Sequence, residues 1–231
     1  MARLCIIPAR GGSKRIPRKN IKSFLGKPII AYSIKAAIKS NLFDEVMVST
    51  DDAEIAEIAK TYGAEVPFMR SSENSNDYSG TFDVIKEVLE SYEKENICFD
   101  QACCIYPTAP FVTAQRLKDA HSVLTKNKID SVFPVIRYGY PIQRGLMVDG
   151  NERIKMREPK YLSSRSQDLE PVFHDAGQFY LFEIKKVMEQ KSLWTNNTGF
   201  IEISELEGQD IDNEMDWKLA EFKFEFLQRI T

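Results

Sequence analysis

Short apolar runs alternate with amphipathic stripes through the first 136 residues of this chain, and that alternation limits the fold more than any other feature. Apolar runs stand at 4–8, 45–49, 65–68, 99–106 and 131–136. Between them lie helical patterns: 28–40, with Ile30, Ile34, Ala37 and Ile38 on one stripe; a helix capped by Asp51 and stopped by Gly63; 81–95, with Val84, Ile85, Val88 and Leu89 inward; and 113–126. Run 99–106 is nearly continuous, as in a strand covered on both faces. Strands and helices in turn predict a Rossmann-like α/β domain with a mostly parallel sheet and right-handed crossovers. The rhythm breaks over 137–175, a polar segment with Pro141, Pro159 and Pro171 and no clear period. A structureless loop of that length is unusual in a compact domain, so it reads as an inserted functional or dimer-forming segment. Regular structure resumes with strands at 178–182 and 199–203 and a closing helix over 214–229.

The first strand runs into a loop, 9–20, holding Gly11, Gly12 and five cations: Arg10, Lys14, Arg15, Arg18 and Lys19. Adjacent glycines permit backbone conformations that a Cβ forbids, so main-chain N–H groups can face an anion. Guanidinium groups add bidentate geometry suited to phosphate. An open α/β sheet binds its ligand at the carboxyl ends of its strands, so the local reading is a polyphosphate site. The alternative is a solvated basic loop. Neither common phosphate motif is present: Gly12-Ser13-Lys14 is in the wrong order for a P-loop, and no Gly-x-Gly-x-x-Gly opens a helix.

The net charge of −3 argues against a general nucleic-acid binder and makes the basic loop a local patch on an acidic background. With 43% hydrophobic and 28% charged residues the chain of 231 can bury one core. The apolar stretch before Arg10 is too short for a signal peptide or a membrane span. Cys5, Cys98, Cys103 and Cys104 form no Cys-x-x-Cys pair and read as buried, reduced thiols, hence a cytoplasmic protein. Asp210-Ile211-Asp212 is the second strong feature. Carboxylates two residues apart in an extended segment share a side and repel, and a divalent cation relieves this. The alternative has Asp212 capping the last helix. Arg70 follows the run 65–69 at another carboxyl edge, and Asp77 and Thr81 either start the next helix or serve a site.

The run Ile7-Pro8-Ala9-Arg10-Gly11-Gly12-Ser13-Lys14, followed by Lys19-Asn20, resembles the signature of the acylneuraminate cytidylyltransferases, which activate nonulosonic acids as CMP-sugars. The resemblance extends over nearly the whole chain and implies a nucleotidyltransferase domain over 1–231. It implies that Arg10 and Lys19 hold the CTP triphosphate, with Gly11, Gly12, Ser13 and Asn20 in the same loop. It places Arg70, Thr81 and the backbone carbonyl of Ser79 around the cytosine, and makes Asp210 and Asp212 the Mg²⁺ ligands. It also implies a homodimer formed through 137–175. Sialic acid synthetases are similar to Leu-Gln-Pro-Thr-Ser-Pro at the end of the central strand; this chain carries Tyr106 at the glutamine position. Those enzymes share the Arg-x-Gln-Asp part of 163–180 but then carry Asn-Gly-x-x-Tyr. The stretch here, His174 to Tyr180 with Pro141-Ile142-Gln143-Arg144 upstream, is similar to the pseudaminic acid cytidylyltransferases. Arg165, Gln167, His174, Asp175 and Gln178, with Tyr106, become candidate sugar contacts.

The expected reaction is attack of a nonulosonic acid's anomeric hydroxyl on the α-phosphorus of CTP, giving CMP-sugar and pyrophosphate. The sugar expected is pseudaminic acid; another nonulosonic acid is the alternative. A non-catalytic nucleotide-sugar sensor on the same fold is the reading of a different class; loss of a metal carboxylate or of the loop cations would favour it, and neither is lost.

Overall fold

The computed structural model describes residues 1–76 and 78–230, so Asp77 lies outside the described residues. Seven strands build the main sheet: β1 Arg3–Pro8, β2 Glu45–Ser49, β3 Gln101–Ile105, β4 Ser131–Arg137, β5 Phe173–Asp175, β6 Phe179–Glu183 and β7 Thr198–Ile203. Their order is β7-β4-β6-β3-β1-β2, with β5 pairing the far end of β4. β1 runs parallel to β2 and β3, and β7 parallel to β4, whereas β6 is antiparallel to both neighbours. A mixed, mostly parallel α/β sheet is therefore what the alternation produces.

Alternate side chains of β1 enter opposite layers. Cys5 and Ile7 face a core that includes Ile30, Ile34, Ile55 and Leu117, from helices α1 Ile30–Ser40, α2 Ala53–Thr61 and α4 Ala114–Asn127. Leu4 and Ile6 face Ile85, Val88 and Val187, from α3 Thr81–Lys94 and α5 Ile184–Gln190. A smaller third core joins Ile16, Phe24, Ile29 and Phe111 to Ile211, Trp217 and Ala220, the last two on α6 Glu214–Ile230. From β1 the chain passes to β2 on one side and later to β3 on the other. The crevice between the carboxyl ends of β1 and β3 is thus the topological switch point at which such sheets bind ligands.

Four local expectations are corrected. Run 65–68 forms only an isolated bridge, Glu65 to Met47, because Pro67 has no N–H for a ladder. Asp52, not Asp51, caps α2, its carboxylate accepting from the N–H groups of Glu54 and Ile55. Pro28 pairs with Ser23 in a two-stranded ribbon rather than opening α1. Cys98 is exposed, while Cys5, Cys103 and Cys104 are buried. Segment 137–175 is not structureless: it carries the ribbon Leu146–Val148 with Ile154–Met156, three short turns of 3₁₀ helix, and β5.

Candidate active site

A cavity of about 420 Å³ opens at the switch point, and Arg10, Ser13, Lys14, Arg15, Lys19 and Asn20 of the basic loop line it. Arg70, Ser79, Thr81 and Tyr106 complete its walls. The structure thus brings the loop cations and the three nucleobase candidates into one space. Arg18 is turned away: it sits in the left-handed region at φ 54° and its guanidinium pairs with Asp52 and Glu54.

The glycines act differently from the expectation. Neither Gly11 nor Gly12 has positive φ. Gly11 leaves room for Asp52: a Cβ there would lie 2.7 Å from Oδ2 of Asp52, whereas a Cβ on Gly12 meets nothing within 4 Å. The Gly11 N–H donates to Asp51 Oδ1 at 2.9 Å, so the loop is tied to the residues that start α2. The amide of Asn20 donates to the Arg10 carbonyl at 2.9 Å, which makes Asn20, buried behind the loop, a brace as well as a cavity residue.

Arg70 is buried and well fixed. Its Nε donates to Ser49 Oγ at 3.0 Å and a terminal nitrogen donates to the Ser49 carbonyl. Burial lowers its pKa, the opposing influence of Asp51 and Glu87 notwithstanding. Residues 71–74 are anchored from α3: Glu87 accepts from the Ser71 N–H at 2.7 Å and from the Asn74 amide. Arg10 then donates to the Asn76 carbonyl at 2.7 Å, so the basic loop and the nucleobase loop touch.

The carboxylate pair meets the basic loop from the other end of the sequence. Ile211 is buried in the third core, which turns Asp210 and Asp212 away from it. Arg15 pairs with Asp212 at 2.7 Å, and Lys19 Nζ donates to the Ile211 carbonyl at 2.6 Å and stands 4.0 Å from Asp212. Burial lowers the Lys19 pKa, partly offset by Asp212 and Asp210. Asp210 is exposed to water yet sits in a cleft with enough protein around it to desolvate its carboxyl. That desolvation, then the Asp212 charge, raises its pKa. The helix-cap alternative for Asp212 fails, because Asn213 Oδ1 accepts from the N–H groups of Met215 and Asp216 at 2.8 and 3.0 Å. Two hard oxygen donors that repel one another suit Mg²⁺, which takes one or two carboxylates and completes its shell with water and phosphate.

A second cavity of about 300 Å³ is lined by Asp210, Gln209, His174, Asp175, Glu205 and Lys223, among others. His174 Nδ1 meets the Asp175 carbonyl at 2.9 Å. Asp175 accepts from the Gly177 N–H at 2.8 Å and from the Tyr180 hydroxyl. The Tyr180 ring packs edge-on against Tyr106 at 5.8 Å, and the Tyr106 hydroxyl lies 3.3 Å from Thr81 Oγ1. Tyr106, on the wall of the first cavity, is thus linked through Tyr180 to Asp175 on the wall of the second. Gln178 is 3% exposed and its amide donates to the Glu207 carbonyl at 2.5 Å, which places it behind the cavity as a loop brace. The structure does not bring Arg165 and Gln167 to either cavity just described. Arg165 pairs with Asp168 three residues on, and Gln167 lines a separate hollow of the inserted segment. Lys223 and Glu87, which sequence reasoning did not single out, carry no local motif; each is one charged residue on an amphipathic helix.

The family model described as Cytidylyltransferase matches residues 4–209. The chain is 41% identical over 224 residues to a pseudaminic acid cytidylyltransferase of Campylobacter jejuni, covering 97% of each chain. It is 32% identical over 235 residues to a CMP-N,N'-diacetyllegionaminic acid synthase of Legionella pneumophila, again covering 97% of each. Among solved structures it superposes on a CMP:2-keto-3-deoxy-manno-octonic acid synthetase complexed with CTP. The TM-score there is 0.69 at 16% identity, over 99% of this chain and 100% of that one, a likeness of fold. With the loop, the switch-point cavity and these matches together, the chain belongs to the cytidylyltransferase family.

Proposed function

We propose that this protein transfers CMP from CTP to the anomeric hydroxyl of a nonulosonic acid, with pseudaminic acid the preferred sugar, releasing pyrophosphate. The observation that carries the reading is the meeting of residues 10–20 with residues 210–212. Arg15 on Asp212 and Lys19 on the Ile211 carbonyl tie two cations from the wall of the first cavity to the segment that carries the paired carboxylates. Arg10 and Lys19, with Ser13 and Asn20, hold the triphosphate; Arg70, Ser79 and Thr81 hold the base. Charge spreads over the phosphate oxygens in the transition state, so fixed cations in a cleft lower the barrier.

Asp210 and Asp212 would hold Mg²⁺, which when bound neutralises developing phosphate charge and eases departure of pyrophosphate. The second cavity, whose wall includes Asp210, takes the sugar. His174 and Asp175 offer it a ring nitrogen edge and an acceptor. Tyr106, on the wall of the first cavity, contributes an apolar ring with a polar tip where the two substrates meet, which suits a deoxygenated, methyl-bearing sugar better than glutamine does. A site that hydrogen-bonds the second acylated nitrogen of pseudaminic acid penalises a sugar that lacks it, because the buried polar groups are then left unpaired. The 41% identity to an enzyme named for pseudaminic acid supports the same choice.

The chain acts as a homodimer joined through 137–175. Leu146, Val148, Ile154 and Leu162 of that segment are each more than 60% exposed, an apolar surface that a second copy covers. A CTP-consuming reaction places the enzyme in the cytoplasm. The test is pyrophosphate release with CTP and Mg²⁺ against a panel of nonulosonic acids. Pseudaminic acid should be used far better than N-acetylneuraminic acid; equal specificity constants overturn the sugar assignment, and no release with any sugar overturns the enzyme.

A further inference from the structure

The segment that carries Asp210 is held from several sides. Ser204 and Glu207 form a capping box at Glu205–Glu207, Arg116 of α4 donates to Glu207 at 2.7 Å, and the Gln178 amide reaches the Glu207 carbonyl. Gly208 packs so closely that a Cβ would lie 2.4 Å from Ile136 Cδ1. The fourth side is one side chain. Lys223 Nζ donates to the carbonyls of Glu205 and Gly208 at 3.1 and 2.9 Å and to Gln209 Oε1 at 3.0 Å. An ammonium has three donors, and here all three go to the five residues directly before Asp210.

The helix that bears it is rigidly seated. Phe224, next in the chain, packs against Phe24, Tyr32 and Phe111 at 5.6, 5.2 and 6.0 Å between ring centroids, and Trp217 packs against Phe24 at 5.6 Å. Phe24 and Tyr32 follow the basic loop directly in sequence, so the same helix is referenced to the phosphate side of the cavity. It lies wholly beyond the 4–209 stretch that the family model matches.

We propose that Lys223 is a positioning residue for the carboxylate pair: by tying the backbone of 205–209 to α6 it fixes where Asp210 and Asp212 stand relative to the triphosphate loop, and α6 is thereby part of the active centre. The proposal rests on the reading of Asp210 and Asp212 as the cation-holding pair. A point ammonium suits three acceptors converging on one atom, whereas the planar fork of arginine does not.

The test measures Mn²⁺ binding by electron paramagnetic resonance in the presence of CTP and without sugar, for the full chain and for Lys223→Met, Lys223→Arg, Asp210→Asn and the exposed control Lys218→Met. Groups that orient metal ligands from behind are worth about 10- to 100-fold in metal affinity or activity. The expected result is Mn²⁺ affinity at least about tenfold weaker in Lys223→Met, an intermediate loss in Lys223→Arg, and none in Lys218→Met. Turnover of the Lys223 variants should recover toward wild type as Mg²⁺ is raised. If Lys223→Met does not fold, Lys223→Arg decides alone. Wild-type Mn²⁺ affinity in the folded Lys223 variants, or a change confined to the KM for sugar, overturns the proposal. If Asp210→Asn also binds Mn²⁺ normally, the carboxylate reading itself fails; if only Asp210→Asn is weakened, that reading stands and Lys223 has no part in it.

Discussion

Replacing Gly11 by alanine tests whether the basic loop needs its glycine for contact rather than for backbone freedom. The added Cβ would lie 2.7 Å from Asp52 Oδ2 and 3.0 Å from Asp52 Cβ, where ordinary contact begins near 3.4 Å. Asp52 has little room to yield. Its Oδ1 accepts from Glu54 N and Ile55 N at 3.0 Å each and from Arg18 at 3.1 Å, and its Oδ2 accepts from the other Arg18 nitrogen. If Asp52 moves, α2 loses its cap, worth about 1 kcal/mol, and part of a half-exposed ion pair, worth about 0.2–1 kcal/mol. If the loop moves instead, the Gly11 N–H leaves Asp51 and the cavity wall shifts. Gly11→Ala should therefore lose about 1–2 kcal/mol in urea unfolding. It should also raise the KM for CTP, whereas Gly12→Ala should be neutral in both. Asp52→Ala removes the cap and most of the obstacle, so adding Gly11→Ala to it should cost less than Gly11→Ala alone, the non-additivity expected of touching residues. Unfolding and CTP kinetics of Gly11→Ala equal to wild type would refute the reasoning.

Arg10→Ala and Lys19→Ala should each weaken CTP binding and slow turnover, a charge-assisted hydrogen bond being worth about 1.5–3 kcal/mol; unchanged constants in both variants would reduce the loop to a solvated surface. Asp212→Asn should abolish Mg²⁺-dependent turnover while the melting temperature holds, and near-wild-type activity would remove the metal role. The Arg18 guanidinium, with backbone N–H groups of Ile55 and Glu54, holds Asp52 down at about 2 against partial burial, which pushes the other way. Its folded value is depressed from about 3.9, so its contribution to stability is present above about pH 4 and is lost as pH falls through about 2. Melting temperatures between pH 5 and 2 should fall less steeply in Asp52→Asn than in wild type. Sedimentation should give a dimer, and a fully active monomer at assay concentration would remove the inserted segment's assembly role.

How much of this was legible in the sequence depended on whether the signal was local. The phosphate loop and the Asp210-Ile211-Asp212 alternation are local patterns, and the structure joins them although 192 residues separate Lys19 from Ile211. The helical stripes likewise became α1 to α4 within a residue or two, because burial of one face decides them. The misses share a different physics. Asp51 and Asp52 are both able to cap a helix, and only the tertiary partners, Gly11 for one and Arg18 for the other, separate their tasks. Strand 65–68 stops at a single bridge because Pro67 has no N–H to continue the ladder. Gln178, a sugar-contact candidate through the family resemblance, is buried and donates its amide to the Glu207 carbonyl, a partner 29 residues away that no local pattern shows. Gln178 and Lys223 are both committed to the backbone of 205–209 from opposite sides, one from β6's approach and one from α6. Specificity for the sugar and placement of the carboxylates therefore share a support: the 205–209 turn walls the second cavity with Glu205, Gly208 and Gln209 and hands the chain directly to Asp210. A substitution that reshapes the sugar cavity through this turn should disturb cation binding as well, whereas one at His174, on the opposite wall, should change sugar choice alone.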